Sequence, residues 1–144
     1  MALTQDRTNP VINPKPGRSA AVAANGSSYA GGLVGANAAG YTTKIPGPGV
    51  NNSAYRLQGT SHQRWDNTGG ANAAFKIRID KNDIVQGLLN LAGDPVTQAD
   101  IGNEVYIEDD NTIRRTSNTN TRCGGLRLYR INPDGTVDCT YIAA

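Results

Sequence analysis

The sequence predicts an all-β protein: a small β-barrel of short antiparallel strands, with one short helical turn and an extended N-terminal arm. Three observations predict it. Short runs of alternating apolar and polar residues recur at even spacing with turn residues between them, Phe75-Lys76-Ile77-Arg78-Ile79-Asp80 being the cleanest. Glycine accounts for 17 of 144 residues, and Asn and Thr are abundant, which favours turns and strands over helices. A helix start is found only at Asp94–Gly102, with Thr97 as N-cap and Gly102 as stop, long enough for about one turn.

Taken in order, residues 1–17 form an arm and residues 18–144 a single barrel domain. Asn9-Pro10, Asn13-Pro14 and Pro16-Gly17 hold the arm extended and remove amide donors, so it builds no core of its own. Pro10, Asn13, Pro14 and Pro16 are therefore candidates for lying along a neighbouring surface. Ala20 to Ala24 is expected as a strand that turns at Asn25-Gly26-Ser27 and returns through Tyr29 to Gly35. A second turn at Asn37–Gly40 leads into Tyr41 to Ile45, and Pro46-Gly47-Pro48-Gly49 is a loop. Ser53 to Asp66 reads as a half-buried strand bent at Gly59. Phe75, Ile77 and Ile79 then point to one face, with Lys76, Arg78 and Asp80 on the other.

Ile84 to Leu91 and Asn103 to Ile107 are further strands. Glu108-Asp109-Asp110-Asn111 reads as a charged turn, because its spacing is not that of a calcium loop. Thr112-Ile113-Arg114 continues the ladder, and Ser117–Thr121 is a polar loop. The chain closes on a hairpin about Asn132-Pro133-Asp134-Gly135, in which facing residue numbers sum to about 267. Leu126 then faces Tyr141, and Leu128 faces Cys139. Cys123 falls at the open end, so the two cysteines are expected as small buried hydrophobes without a bridge or a zinc site.

Composition excludes several function classes. The net charge of +2 is too small for a nucleic-acid interface, and the Arg114–Arg115 region with Arg122, Arg127 and Arg130 is expected as solvated strand faces and rim contacts. No apolar window reaches membrane-helix length, and Met1–Arg7 lacks a secretory pattern, so a soluble protein is expected that is made in a reducing compartment or is carried out by something else. The glycine-rich Gly31–Gly35 stretch lacks the Lys-Ser/Thr pair of a phosphate loop. His62, the sole histidine, has no nucleophile or carboxylate pattern around it, and no nucleophile elbow or paired carboxylates argue for a hydrolase. No catalytic residue, cofactor or metal is expected.

Four features recur in one order: Met1-Ala2-Leu3-Thr4; Tyr29-Ala30-Gly31-Gly32-Leu33-Val34 followed by Ala39-Gly40-Tyr41; Asp66-Asn67-Thr68-Gly69-Gly70-Ala71; and Asp94–Gly102 followed by Val105–Asp110. From Arg18 to the C-terminus this resembles the capsid decoration, or cement, proteins of tailed bacteriophages. The resemblance implies a tulip-like β-barrel on the outside of the virion head, made in the host cytoplasm. It implies a homotrimer at three-fold and quasi-three-fold positions, with the major capsid protein as partner. It implies no enzyme, nucleic acid or membrane. Trp65, Asp66, Asn67 and Thr68, with Arg114 and Arg115, are candidate capsid or subunit contacts. The alternative is a virion adhesion module that binds host glycan or receptor, for which Trp65 is the candidate aromatic platform.

Overall fold

The computed structural model of the chain describes residues 2–7 and 17–142. Its second half closes on itself. Strands β8 (Ile84–Asn90), β9 (Glu104–Ile107), β10 (Thr112–Arg114), β11 (Leu126–Ile131) and β12 (Val137–Tyr141) form a closed barrel in the order β10-β8-β12-β11-β9. Inward residues alternate along β9, β11 and β12, and Val85, Leu88, Val105, Ile107, Ile113, Leu126, Leu128, Val137 and Cys139 fill the interior. Closure leaves this lobe no free sheet edge. One pair departs from the antiparallel expectation: β8 and β10 run parallel, Thr112 against Leu89. The connection between them is long enough for a parallel crossover because it contains the 3-10 turn and β9.

The closing hairpin has Leu126 opposite Tyr141 and Leu128 opposite Cys139, as expected. Nearer the turn the register changes, with Arg130 opposite Asp138 and Ile131 opposite Val137. The extra residue is a bulge at Tyr129, which turns both Tyr129 and Arg130 outward. Both cysteines are buried and unbridged.

The first half forms a second sheet, ordered β1-β7-β5-β3-β4, from β1 (Arg18–Ala21), β3 (Leu33–Ala36), β4 (Thr42–Lys44), β5 (Arg56–Ser61) and β7 (Lys76–Asp80). A small ribbon pairs β2 (Ser27–Ser28) with β6 (Trp65–Asp66). The Asn37–Gly40 hairpin forms as expected, Asn37 N–H donating to Tyr41 O at 2.8 Å. The Asn25-Gly26 turn also forms, yet β1 does not pair with the segment from Tyr29 to Gly35; it pairs with β7. The reason is side-chain content. Strand β7 offers the apolar face of Ile77 and Ile79, whereas Gly31-Gly32 has no side chains to pack and Leu33–Ala36 is already paired on both sides, by β4 and β5. The single strand expected over Ser53–Asp66 is broken into β5 and β6 by residues 62–64. Gly59 does bend it: φ is +149°, and a Cβ there would collide with Asp80 O.

Phe75 is a further correction. It does not join Ile77 and Ile79 inside; it is 38% exposed just before β7 and meets Trp65 edge-on, with ring centroids 6.0 Å apart. The two lobes meet along β3 and the loop after β4. Leu33 and Ile45 belong to the barrel core, and Leu33 N–H donates to Asp110 O at 2.9 Å. Buried Asn52 stitches the seam: its Nδ2 donates to Pro46 O and Ile107 O, and its Oδ1 accepts from Cys123 N–H at 2.8 Å.

Candidate functional site

Three groups of polar residues stand out. The first lies under the barrel rim. The Glu108–Asn111 segment forms the expected charged turn, joining β9 to antiparallel β10, with Glu108, Asp109 and Asp110 buried. Glu108 accepts from Arg114 Nη1 at 2.7 Å, from Arg122 Nε at 3.0 Å and from the Gly49 amide at 2.9 Å. Arg114 also reaches Asp94 at 3.1 Å. Burial opposes ionisation of Glu108, but Arg122, the Gly49 amide and Arg114 outweigh it and hold the carboxyl below its ordinary range. Arg114 and Arg122 are therefore internal counter-ions, and the expectation of solvated basic faces fails for both. Arg115 remains exposed, 3.5 Å from Asp100.

The second group is a knob built by residues 65–75. Trp65 is 6% exposed and packs with Val22, Val34, Ile77 and Ile79, so it anchors the knob and offers no platform. Asn67 is buried beside it, and its Nδ2 donates to Ala23 O at 2.8 Å and to Ala71 O at 3.0 Å. Asp66 Oδ1 accepts from the amide and hydroxyl of Thr68 at 2.9 and 2.5 Å. These bonds hold the exposed Asp66 carboxyl below its ordinary range. Asn25 Oδ1 accepts from Gly69 N–H, and Asn25 N–H donates to Gly70 O. Gly70 packs so tightly that a Cβ would overlap Asn67 Oδ1. Residues 71–76 are exposed on this frame.

The third group is an N-terminal strap of residues 2–7, which runs along the seam between the lobes. Leu3 N–H donates to Asp110 Oδ1 at 2.9 Å, Arg7 N–H donates to Ala30 O at 3.1 Å, and Asp6 Oδ1 accepts from the Ala30 amide at 2.9 Å. Arg7 carries its guanidinium inward, where Nη1 donates to Asn111 Oδ1 at 2.8 Å and Nη2 donates to Gln86 O. Burial draws Arg7 below its ordinary value, and burial raises Asp110.

Among the predicted contact residues, Trp65 to Thr68 are brought together in the knob, Arg114 and Arg115 lie at the opposite lobe, and Pro10, Asn13, Pro14 and Pro16 lie outside the described residues. Sequence reasoning missed Arg7, Asn52 and Asp110. Their partners are separated by 104, 71 and 107 residues, so no local pattern points to them. Among the described residues, no group of three or more His, Cys, Asp or Glu is placed to hold a metal ion, and no helix is long and apolar enough to cross a membrane. His62 Nδ1 lies 2.8 Å from Asp80 Oδ2 at the surface. No family model, curated protein or solved structure matches the chain.

Proposed function

We propose that this chain is a viral structural protein that binds the outer surface of a bacteriophage head and cements adjacent major capsid protein subunits. It acts as a homotrimer at three-fold and quasi-three-fold sites. The sequence resemblance motivates the reading, and one observation carries it. Asp66 to Ala71, the stretch most characteristic of the resemblance, folds into an exposed knob that its own hydrogen bonds hold rigid. A contact surface fixed before binding loses little conformational entropy on docking, so a small interface suffices when many copies attach to one lattice. Binding the assembled shell and not its dissociated subunits then stabilises the shell by linkage.

The test is co-sedimentation with assembled heads. Ala71→Arg places a long cation on the exposed tip without touching the core. Head binding is expected to weaken by about tenfold or more, ~1.4 kcal/mol, while Tm stays unchanged. Unaltered binding by this variant contradicts the knob as the contact surface.

The adhesion reading needs an exposed aromatic, and buried Trp65 does not supply one. Tyr129, 47% exposed on the β11 bulge, is the residue on which that reading now rests. Glycan-array binding that is lost in Tyr129→Ala favours adhesion over cementing.

A further inference from the structure

A cavity of about 420 Å³ opens where the strap crosses the barrel, lined by Arg7, Gln86, Gly87, Asn111, Arg130, Asn132 and Asp138. Its polar groups are unevenly matched. Buried Asp138 accepts three hydrogen bonds: Oδ1 accepts from the Gly87 amide at 3.0 Å and from Asn132 Nδ2 at 2.9 Å, and Oδ2 accepts from Arg130 Nε at 2.5 Å. The Asn111 amide oxygen accepts from Arg7. Donors are left over. Among the described residues, Arg7 Nε is buried with no hydrogen-bond partner, and Arg7 makes no ion pair. Arg130 uses Nε on Asp138, which leaves its Nη groups for a ligand.

Asp110 and Asp138 attract the Arg7 guanidinium, but neither contacts it, and a guanidinium without a direct ionic partner is incompletely compensated. An anion with two acceptor oxygens in the cavity supplies that direct partner to Arg7 and takes up the Nη groups of Arg130. Asp138 pairs with Arg130, and Asp110 and Asp138 attract Arg7 without contacting it, so the cavity carries little surplus positive charge and suits a monoanion better than a doubly charged phosphate. A planar carboxylate fits the guanidinium fork. No described lining residue is aromatic, so the cavity lacks the flat apolar face on which a sugar ring would stack. An amino-acid side chain is accordingly the better match than a sugar acid.

We propose that this cavity is a binding site for an acidic side chain of a partner protein, its carboxylate received by Arg7 and Arg130. The bulge at Tyr129 is what turns Arg130 toward the cavity, and docking of the strap is what delivers Arg7. The site stands independently of shell binding through the knob, because the cavity is on the barrel and the knob is on the other lobe.

The test is an amide chemical-shift titration of the full chain with N-acetyl-aspartate N-methylamide, whose sole charge is its side-chain carboxylate. Saturable shifts at Gly87 and Arg130 are expected, with a dissociation constant on the order of 1 mM. The asparagine counterpart is expected to give none. Arg7→Gln and Arg130→Gln are each expected to weaken binding by about tenfold. Arg130 is half exposed and off the strap, so its variant stays informative if Arg7→Gln loosens the strap. Arg56→Gln, an equal charge change at an exposed position of β5, is expected to leave binding unchanged. No saturation with the aspartyl probe overturns the proposal, as does equal weakening by Arg56→Gln. Saturation by glucuronate or by N-acetyl-dialanine, but not by the aspartyl probe, overturns the side-chain source.

Discussion

Glu108 is 3% exposed and holds two guanidinium groups, Arg114 and Arg122, at the barrel rim. Removing the carboxylate leaves buried Arg122 with no ionic partner among the described residues and Arg114 with Asp94 alone. Glu108→Ala is therefore expected to cost about 3–5 kcal/mol in urea unfolding, the range for breaking a buried pair; a loss under about 1 kcal/mol would place the cations in solvent. The same pairing sets the pH response. Asp94, Glu108 and Asp138 all have folded pKa values below their ordinary 3.8, 4.5 and 3.8, the hydrogen bonds and arginines overcoming burial in each case. Their stabilisation is present above the ordinary carboxylate range and is lost as pH falls through the depressed values. Asp110 has the opposite sign: burial raises it, so its contribution is present at low pH and is lost as pH rises through its folded value. Asp66 and Asp134 are depressed as well, and among the described carboxyl groups Asp110 alone is raised, so unfolding free energy is expected to fall on acidification below the ordinary carboxylate range, with a shallower fall in Glu108→Gln. Stability that rises on acidification there contradicts the network. None of this was legible in the sequence, where Glu108-Asp109-Asp110 has the composition of a charged turn. Burial of a charge is decided by partners, and Arg122 and Asp94 are both 14 residues from Glu108 in the chain.

Elements built on local rules were legible. The final hairpin needs only alternation, a Pro-Asp-Gly turn and antiparallel pairing, so Leu126 opposite Tyr141 came from arithmetic. The bulge at Tyr129 was not legible, because it depends on Arg130 reaching Asp138 across the ladder. The Thr97 start was legible in the same way as the hairpin: Asp100 Oδ2 accepts from the Thr97 amide at 2.7 Å and its hydroxyl at 3.2 Å. The knob was legible as a turn and not as a rigid body, since its lock comes from Asn25 and Ala23, more than 40 residues earlier. Gly70→Ala tests that lock. The added methyl meets the side-chain oxygen of Asn67, so Asn67 must leave its two carbonyls. A cost of about 2 kcal/mol is expected, together with faster amide exchange across residues 67–71. Exchange as slow as in the parent chain would contradict the lock.

At the scale of the molecule, both lobes are arranged against open-ended strand-to-strand polymerisation. The barrel is closed, and the edges of the other sheet meet at a parallel bridge between Val22 and Thr42, so little open strand is presented. Cys123 and Cys139 are kept from cross-linking by burial, which pushes their thiols up to about 11 and about 12; native protein is expected to resist thiol labelling that proceeds in denaturant. Such a chain can be present at high concentration and still await a surface that matches its fixed knob. The most direct measurement of shell binding is a cryo-EM comparison of mature heads assembled with and without this chain. Added density of about 15.2 kDa per copy is expected, grouped in threes over the local three-fold positions of the shell. Identical maps, or density confined to the tail or fibres, would contradict a cementing role.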